Sequence, residues 1–360
     1  MAPTADAAAR RRVWLRRVAM VAVPALLAYA VVAASGGIGD ALSRLRHADL
    51  WWLVPALGAE CLRHVVFGVQ LRWLRGDEPV PSVRLGSLIS LVTFGLGFLL
   101  PAAPTEGMTM SVVELRRRGM STRGAGLMLV ASQVAQFGAL ISIFALDRVI
   151  VVAAGELRHS NPFTAAAISL VLIGLIALGA WGLSQEPTVR WIVRIVRRLP
   201  FLRGKTREEI ALEVTLWHQD VGRIMGSAIN RFRGIVLAAG AELCSATALW
   251  CGLRAVGSPV SFEVAVLAYT IAIFATFVPI PGGIGVVELV VPAMLHHFGV
   301  PTASGLAGVL VWRAVSFFLP AIGGMLAYTG LRLSRPTAAL DQPVTLALDD
   351  DAGPEAAVVM

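Results

Sequence analysis

Charged residues are scarce in this chain, which excludes an ordinary soluble protein. Of the 360 residues only 15% are charged, whereas 56% are hydrophobic, and the mean hydropathy is +0.73. Soluble globular proteins carry about 25% charged and about 45–50% apolar residues. Several windows of about twenty residues contain few or no charges, and this length crosses a hydrocarbon core of about 30 Å. The composition therefore predicts an all-α polytopic membrane protein.

Cysteine is equally scarce, and the residue patterns of common catalytic centres are missing. The three cysteines, Cys61, Cys244 and Cys251, lie inside apolar segments, where they are better explained as small packing residues than as disulfides or metal ligands. No metal-ligand spacing, nucleophile elbow or Walker A motif occurs in the sequence. We therefore predict no metal, no cofactor and no enzymatic activity.

Nucleic-acid motifs are missing too, although the net charge is +8. The basic residues flank apolar segments, so we expect them to face the cytoplasm rather than to bind a nucleic acid. The cluster ARRRVWLRR places the N-terminal segment, residues 1–17, in the cytoplasm. Arg332 and Arg335 place the C-terminus there as well, with an acidic disordered tail at residues 334–360. This orientation predicts a multi-pass protein of the cytoplasmic membrane.

The hydropathy pattern predicts about six full spans. They lie at residues 18–34, 50–74, 124–146, 162–183, 234–255 and 303–331. The first window is long, contains Pro24 and lacks a small-residue cleavage pattern, so it predicts a retained span rather than a signal peptide. We expect all the spans to belong to one transmembrane domain, residues 18–333.

Two further apolar stretches are interrupted by proline and glycine, which predicts that each turns back inside the membrane. Residues 85–115 contain Pro101 and are followed by ELRRRGMSTR, so this stretch must leave on the cytoplasmic side from which it enters. Residues 262–300 contain PIPGGIGVVE and must enter and leave on the outside if the C-terminus is to lie inside. We predict two re-entrant helical hairpins that face opposite ways.

The two hairpins match one another when the chain is aligned with itself so that Pro101 falls on Pro281. The other identities in this alignment are Phe94 with Phe274, Gly119 with Gly299, Thr122 with Thr302 and Phe137 with Phe317. The positive-inside rule gives the two copies opposite orientations. The sequence therefore predicts an inverted-topology repeat of the kind found in secondary transporters, with copies at about residues 48–150 and 228–330.

A broken helix at membrane depth is tolerated only where its backbone is buried in protein or lines a wet cavity. Pro281, Gly282 and Gly283 would let the chain reverse there. The helix that follows Gly285 would begin inside the bilayer, and its free N–H groups would suit a phosphate or carboxylate. The alternative is that the glycines only permit close helix packing. The nearby Glu288 favours a polar site.

Ionisable residues inside the predicted spans and hairpins are the main site candidates, because a charge at a helix centre costs about 2.5–3.5 kcal/mol on insertion scales. These residues are Glu60, Arg63, His64, Glu106, Glu114, Glu242, Glu288 and Arg313. Arg313 lies too deep to reach the surface, so we expect it to pair with Glu288 or Glu242. A buried pair that merely fixes helix register is the alternative. His64 and Glu114 are evenly balanced between function and structure.

The main hydrophilic insert spans residues 184–233. Arg190, Arg194, Arg197 and Arg198 are spaced to share one helical face, with apolar residues between them. This pattern predicts an amphipathic helix that lies on an anionic cytoplasmic leaflet. An ordinary positively charged cytoplasmic loop is the alternative.

These residues resemble the transmembrane domain of lysylphosphatidylglycerol synthases and the wider flippase-like family. PIPGGIGVVE and the arginine-bearing helix after it resemble the second signature of that family, with matches at Pro281, Gly282, Gly283, Gly285, Glu288 and Arg313. The first signature is matched by Pro101, Glu106 and RRRGMS, with Thr105 in place of a glycine. The resemblance covers roughly residues 50–333.

The resemblance implies a lipid transporter that moves the head group of a phospholipid or polyprenyl-linked lipid between leaflets. The expected lipid-binding residues are Glu60, Arg63, Pro101, Glu106, Glu242, Pro281, Gly282, Gly283, Gly285, Glu288 and Arg313. In the synthases a soluble acyltransferase domain follows the membrane part, whereas only the short tail described above follows the transmembrane domain predicted here. Synthase activity is therefore not expected.

Two other functions remain open at this point. An integral-membrane enzyme acting on a lipid-linked phosphate could use Glu60 and His64 as acid and base. An accessory subunit of envelope-lipid synthesis would use the polar residues for assembly. The expected partners are membrane lipids, anionic phospholipid above all, with a homo-oligomer or a lipid-synthesising enzyme as further alternatives.

Overall fold

The computed structural model describes residues 37–74, 78–97, 104–153, 228–276 and 281–334. Within these ranges every regular element is helical and no strand occurs, which confirms the predicted all-α class. The predicted spans at residues 18–34 and 162–183 lie outside the described residues, and so does the basic insert as far as residue 227.

Ten α-helices make up most of the described chain. They are α1 Gly37–Arg46, α2 Leu53–Trp73, α3 Val83–Ser90, α4 Pro104–Arg116, α5 Thr122–Ala153, α6 Ala228–Ala255, α7 Phe262–Ala275, α8 Val287–His296, α9 Thr302–Arg313 and α10 Leu319–Leu333. Short 3-10 turns precede α2 at Leu50–Trp52 and α8 at Pro281–Gly283. One π-helical turn, Leu91–Leu96, extends α3, and another, Ala314–Phe318, joins α9 to α10.

Four helical segments of the described chain are long and apolar enough to cross a membrane. They are Leu50–Trp73, Thr122–Ala153, Phe232–Ala255 and Thr302–Leu333. The sequence placed spans at all four positions, and the bounds agree closely except that α5 continues to Ala153. The prediction succeeds because continuous apolar residues over about twenty positions are the strongest signal that a membrane chain carries.

Three apolar helical segments in the same ranges are too short to cross: Val83–Leu96, Phe262–Ala275 and Val287–His296. The first packs against α4, and the second packs against α8, so short helices meet in pairs in both halves of the chain. The residues between the partners of each pair, 98–103 and 277–280, lie outside the described ranges.

The bounds of the helices follow the same alignment that places Pro101 on Pro281. Thr122 and Thr302 begin the long helical segments of the two halves, and Ala153 and Leu333 end them. The helices before those segments, α4 and α8, end at the aligned positions Arg116 and His296. The spacing that the sequence showed in a few identities therefore also holds for the ends of the elements.

The turns after α4 and α8 have the same hydrogen bonds. Gly119 and Gly299 have φ of 89° and 79°, in the left-handed region that favours glycine. The N–H of Met120 donates to the Leu115 carbonyl at 3.3 Å, and the N–H one residue past Gly299 makes the equivalent bond at 3.2 Å. Both helices thus end in a Schellman-type turn that redirects the chain into the next long helix.

Packing between the halves is reciprocal. Helix α2 packs against α6, its counterpart in the other half. Helix α5 packs against α7, and α10 packs against the π-turn that extends α3. Each pair of short helices is therefore covered by a long helix of the other half.

Close helix crossings depend on glycine. A Cβ atom on Gly86 would lie 2.6 Å from the Cα of Gly68, so α2 and α3 approach as only two glycines permit. A Cβ atom on Gly95 would collide with the carbonyl oxygen of Pro320, where the π-turn crosses α10. These crossings bring the first pair of short helices against α2 and α10, whose charged residues are described next.

Candidate functional site

Two carboxylates and one guanidinium meet between α2 and α6. Glu60, Arg63 and Glu242 are only 4%, 8% and 5% exposed. Glu60 and Arg63 lie three residues apart on one face of α2, so they are neighbours on the helix surface. Arg63 Nη1 donates to Glu60 Oε1 at 3.3 Å, and Arg63 also lies within electrostatic range of Glu242. The predicted candidates of these two helices therefore belong to one buried cluster.

Hydroxyl groups complete the bonding of both carboxylates. Ser245 Oγ on α6 donates to Glu60 Oε2 at 2.9 Å. The hydroxyl of Tyr269 on α7 donates to Glu242 Oε2 at 2.5 Å. Since a buried carboxylate is costly unless it is hydrogen-bonded or paired, these donors help to offset the cost of burying both groups.

The first half of the chain supplies an aromatic face for Arg63. The guanidinium carbon lies 4.5 Å from the ring centroid of Phe94, which belongs to the π-turn after α3. Phe67 packs edge-on against the same ring at 5.2 Å between centroids. A desolvated cation–π contact contributes about 2 kcal/mol. It stabilises the positive charge of Arg63 without using the hydrogen-bond donors of its guanidinium.

A second ion pair links α9 to the start of α8. Arg313 Nε donates to Glu288 Oε1 at 2.9 Å, and Arg313 Nη2 donates to the Gly283 carbonyl at 3.4 Å. The prediction that Arg313 pairs with a carboxylate is confirmed, and the partner is Glu288 rather than Glu242. The other oxygen of Glu288 accepts a 2.6 Å bond from the N–H of Gly285. The sequence predicted free N–H groups in the helix that follows Gly285, and the N–H of Gly285, just before that helix, is bonded within the chain.

The glycines of this turn are required by conformation. Gly282, Gly283 and Gly285 have φ of 59°, 62° and 88°, values that residues with a Cβ rarely adopt. A Cβ atom on Gly282 would also collide with the ring of Phe317 in the second π-turn. Pro281 begins the 3-10 turn that contains the first two of these glycines. Because these positions are glycines, the chain can turn sharply enough for the Gly283 carbonyl to reach Arg313.

Aromatic rings connect the two ionic groups. The rings of Tyr269 and Trp312 pack edge-on with centroids 6.0 Å apart, and both residues are buried. The guanidinium carbon of Arg313 lies 5.5 Å from the Trp312 ring. We call this connected set the central path, and it consists of Glu60, Arg63, Glu242, Tyr269, Trp312, Arg313 and Glu288.

Two nitrogens, one beside the central path and one within it, have no hydrogen-bond partner among the described residues. His64 Nδ1 is bonded to Ser90 Oγ at 2.8 Å, but His64 Nε2 is buried and unpartnered. Trp312 Nε1 is buried and unpartnered as well. Leaving such a group unbonded costs about 1–3 kcal/mol, so unpartnered buried nitrogens mark places where a polar ligand can bind.

Glu60 and His64, the acid and base of the enzyme hypothesis, form hydrogen bonds with different residues. Glu60 is bonded by Arg63 and Ser245, and His64 is bonded by Ser90. Within the described ranges no hydrogen bond joins Glu60 to His64. The two residues that the enzyme hypothesis combined therefore have separate partners.

Glu114 lies in a different cluster, at the ends of α4 and α10. Its carboxylate is fully buried and pairs with Arg117 at 3.3 Å, Arg118 at 2.9 Å and Arg332 at 3.1 Å. Arg118 also donates to the hydroxyl of Ser334 at 2.9 Å. Of the two roles that the sequence left open for Glu114, this geometry supports the structural one, since it holds two helix ends together.

Several predicted site residues lie outside the described ranges or at the edge of one. Pro101 and the four arginines of the insert, Arg190, Arg194, Arg197 and Arg198, are outside the described residues. Glu106 belongs to the first turn of α4. A Cβ atom on its neighbour Gly107 would collide with the Thr93 carbonyl oxygen, so this turn starts close against the π-turn after α3.

Sequence reasoning missed four participants of the site: Phe94, Ser245, Tyr269 and Trp312. Tyr269 carried a signal, since it is one of three tyrosines in the chain and its hydroxyl lies within an apolar stretch where it needs a partner. Ser245 carried none, because its partner Glu60 lies on another helix and nothing in the spacing connects them.

Comparison with known proteins supplies one match. Residues 17–324 match the family model described as the lysylphosphatidylglycerol synthase TM region. The match spans most of the chain and includes every residue of the central path. No curated protein matches the chain.

Proposed function

Because the chain belongs to the family of the lysylphosphatidylglycerol synthase TM region, we propose that it is a flippase-like transporter of lipid head groups. Family membership makes it an integral membrane protein of lipid metabolism or transport. The finer proposal is that it moves a phospholipid or polyprenyl-linked lipid head group between the leaflets of the cytoplasmic membrane, and that it is not itself an enzyme.

The observation that carries this proposal is the central path. Six of its seven residues are buried, it draws residues from both halves of the chain, and it contains the unpartnered nitrogen of Trp312 beside that of His64. Polar residues within membrane spans are expensive, and in transporters they mark substrate pathways. A site that only fixed helix register would gain nothing from buried nitrogens that lack a hydrogen-bond partner.

We propose that the two halves form an inverted repeat with two re-entrant hairpins. Three findings support this: helix ends that recur at aligned positions, Schellman-type turns at Gly119 and Gly299, and reciprocal packing of each short-helix pair against the other half. Transporters of this architecture bind their substrate near the midplane at the repeat interface. The contact between α2 and α6 would be that interface.

The residues of the path suggest how a head group is held. The guanidinium groups of Arg63 and Arg313 would bind the lipid phosphate, since charge-assisted bonds to phosphate are strong. Glu288 would exchange Arg313 for an amine of the head group, with Glu106 as a second acidic contact. Rocking of one half against the other would then expose the site to each leaflet in turn, while the acyl chains remain in lipid.

The predicted orientation completes the proposal. Both termini would lie in the cytoplasm, and the basic insert would gather anionic lipid at the inner leaflet. A homo-oligomer or an associated lipid-synthesising enzyme would be compatible with this arrangement.

Transfer of fluorescent phospholipids in liposomes tests the proposal. Wild-type protein should increase head-group transfer over empty liposomes, and both Arg313→Ala and Glu288→Gln should reduce it to near the empty-liposome rate. Thr247→Val is the matched control, because Thr247 lies outside the central path and its hydroxyl bonds the Leu243 carbonyl of its own helix. Unchanged transfer in both path variants would refute the site. Formation of a modified lipid without transfer would favour the enzyme.

A further inference from the structure

A cavity of about 400 Å³ lies at the end of the bundle where α2 begins and α6 ends, apart from the central path. Arg44 of helix α1 and His47, just after that helix, form one wall, and Arg254 in the last turn of α6 forms another with the turn at Gly257. Asp49 and Trp52 complete the polar and aromatic lining.

The two arginines of the cavity keep their charge available. Neither Arg44 nor Arg254 forms an ion pair with a carboxylate within the part of the chain that the structure describes. The guanidinium carbon of Arg254 instead lies 5.7 Å from the Trp52 ring centroid and 5.8 Å from that of Trp250. Cation–π contacts stabilise a guanidinium without neutralising it, so its charge and donors can still bind an anion.

Backbone bonds fix the walls of the cavity. The N–H of Asp49 donates to the Ala255 carbonyl at 2.8 Å and joins the start of α2 to the end of α6. Gly257, with φ of 75°, turns the chain after α6 so that the N–H of Ser258 donates to the Leu253 carbonyl at 3.1 Å. The Asp49 carboxylate accepts from the N–H of Trp51 at 3.1 Å. With two arginines against one aspartate, the rigid cavity carries net positive charge.

The surroundings of the cavity are those of a membrane surface. Leu50, Trp51 and Val54 are 68%, 81% and 62% exposed at the beginning of a membrane-span candidate. Exposed tryptophan beside exposed aliphatic residues is typical of the depth at which lipid head groups begin. The cavity would therefore open where phosphate groups of the bilayer lie.

We propose that this cavity binds the phosphate of an anionic phospholipid, held by Arg44 and Arg254 against the wall formed by Trp52. Arginine suits a phosphate because its planar donors can make two parallel bonds. Free inorganic phosphate shares this chemistry, but the exposed apolar residues beside the cavity favour a ligand that brings acyl chains. The proposal does not depend on transport through the central path.

Binding of nitroxide-labelled phosphatidylglycerol tests the proposal, with the full chain in phosphatidylcholine nanodiscs and the immobilised fraction read by electron paramagnetic resonance. The double variant Arg44→Gln/Arg254→Gln should bind the lipid about tenfold more weakly, because glutamine keeps a neutral hydrogen-bond donor but loses the charge that strengthens each bond to phosphate. Arg46→Gln is the matched control, because Arg46 is an exposed arginine at the end of the same helix α1 that does not line the cavity. Unchanged binding in the double variant, or an equal loss in the control, would overturn the site.

Two comparisons identify the ligand. Labelled diacylglycerol, which lacks the phosphate, should not be immobilised at the cavity. Inorganic phosphate should fail to displace labelled phosphatidylglycerol at concentrations that match the lipid. Equal immobilisation of diacylglycerol would overturn the phosphate assignment, and full displacement by inorganic phosphate would overturn the lipid assignment.

Two further measurements separate this proposal from misfolding and from the transport proposal. Arg44→Gln alone changes an exposed side chain, so it should weaken binding several-fold with an unchanged unfolding midpoint. The double cavity variant should transfer head groups at the wild-type rate, because neither of its arginines lies in the central path. Weaker binding in the cavity variants of a chain that does not transfer lipid would refute only the transporter, whereas transfer with binding that the cavity variants leave unchanged would refute only this cavity site.

Discussion

Glu288 and Arg313 form an ion pair in the second half of the chain, whereas the aligned positions of the first half hold Met108 and Gln133. Similarly, Tyr269 bonds Glu242, while the corresponding Ile89 is part of the apolar core. The helix ends and the reciprocal packing repeat, but these polar contacts do not. The comparison teaches that helix ends and packing correspond between the halves, whereas the polar contacts depend on individual residues of each half.

The largest expected difference between the halves is at the ion pair. Arg313→Ala leaves Glu288 largely buried without its partner, which should lower the free energy of unfolding by about 3–5 kcal/mol. We expect the lower end of that range, because Glu288 keeps its bond to the Gly285 amide. Gln133→Ala, at the corresponding position, should cost about 1 kcal/mol or less. Detergent-induced unfolding followed by circular dichroism measures both. Equal losses would contradict the asymmetry.

The second difference concerns the turn that precedes α8. Gly282→Ala should lower the free energy of unfolding by about 2–3 kcal/mol, because φ is 59° and the added Cβ would meet the ring of Phe317. The first half has Ala102 at this place, and Ala102→Gly should change the same quantity by about 1 kcal/mol or less. If the two substitutions have the same effect, the requirement for glycine at position 282 is not particular to the second half.

The third test removes one hydroxyl from the central path. Tyr269→Phe takes the donor from Glu242 and should cost about 1–2 kcal/mol of unfolding free energy. Tyr328→Phe is the control, because that hydroxyl bonds Arg332 in an exposed place, and its loss should be close to zero. A small effect at Tyr269 would mean that the Glu242 carboxylate does not need this bond.

The smallest expected losses of unfolding free energy are at the two Schellman-type turns, which both halves have. Here the two losses should be equal. Gly119→Ala and Gly299→Ala each place a Cβ at positive φ in the same type of turn, and nothing lies within 4 Å of either Cβ. Each should therefore cost about 1 kcal/mol, the strain of a left-handed alanine. Losses of unfolding free energy that differ severalfold would indicate that the two turns are not equivalent.

The fold was predictable from sequence to the extent that hydropathy and glycine determine it. The four described spans and the ends of α4 and α8 follow from apolar runs and from Gly119 and Gly299. The π-turns were not predicted. A π-turn widens the helix by one residue and so changes which side chains face inward, but it needs no particular residue type. The sequence therefore does not predict the π-turns at Leu91–Leu96 and Ala314–Phe318.

The site was predictable where a charge had to be neutralised. The depth of Arg313 required a carboxylate, and Glu288 was one of two candidates. The bond from the Gly285 amide to Glu288 was not expected, because helix N-termini attract external anions and internal carboxylates for the same reason. Only the geometry distinguishes these two. The contact of Ser245 with Glu60 depends on how α2 is aligned along α6. The spacing of residues within one helix does not predict this alignment.

The Glu288 carboxylate connects helix α9 to the turn before α8. One of its oxygens accepts a bond from Arg313, and the other accepts a bond from the N–H of Gly285. A molecule that competes for Arg313 would therefore also free the opposite oxygen to shift, and the backbone at Gly285 would lose its anchor. Ligand binding at Arg313 and the position of the backbone at Gly285 would then be thermodynamically linked through a single side chain.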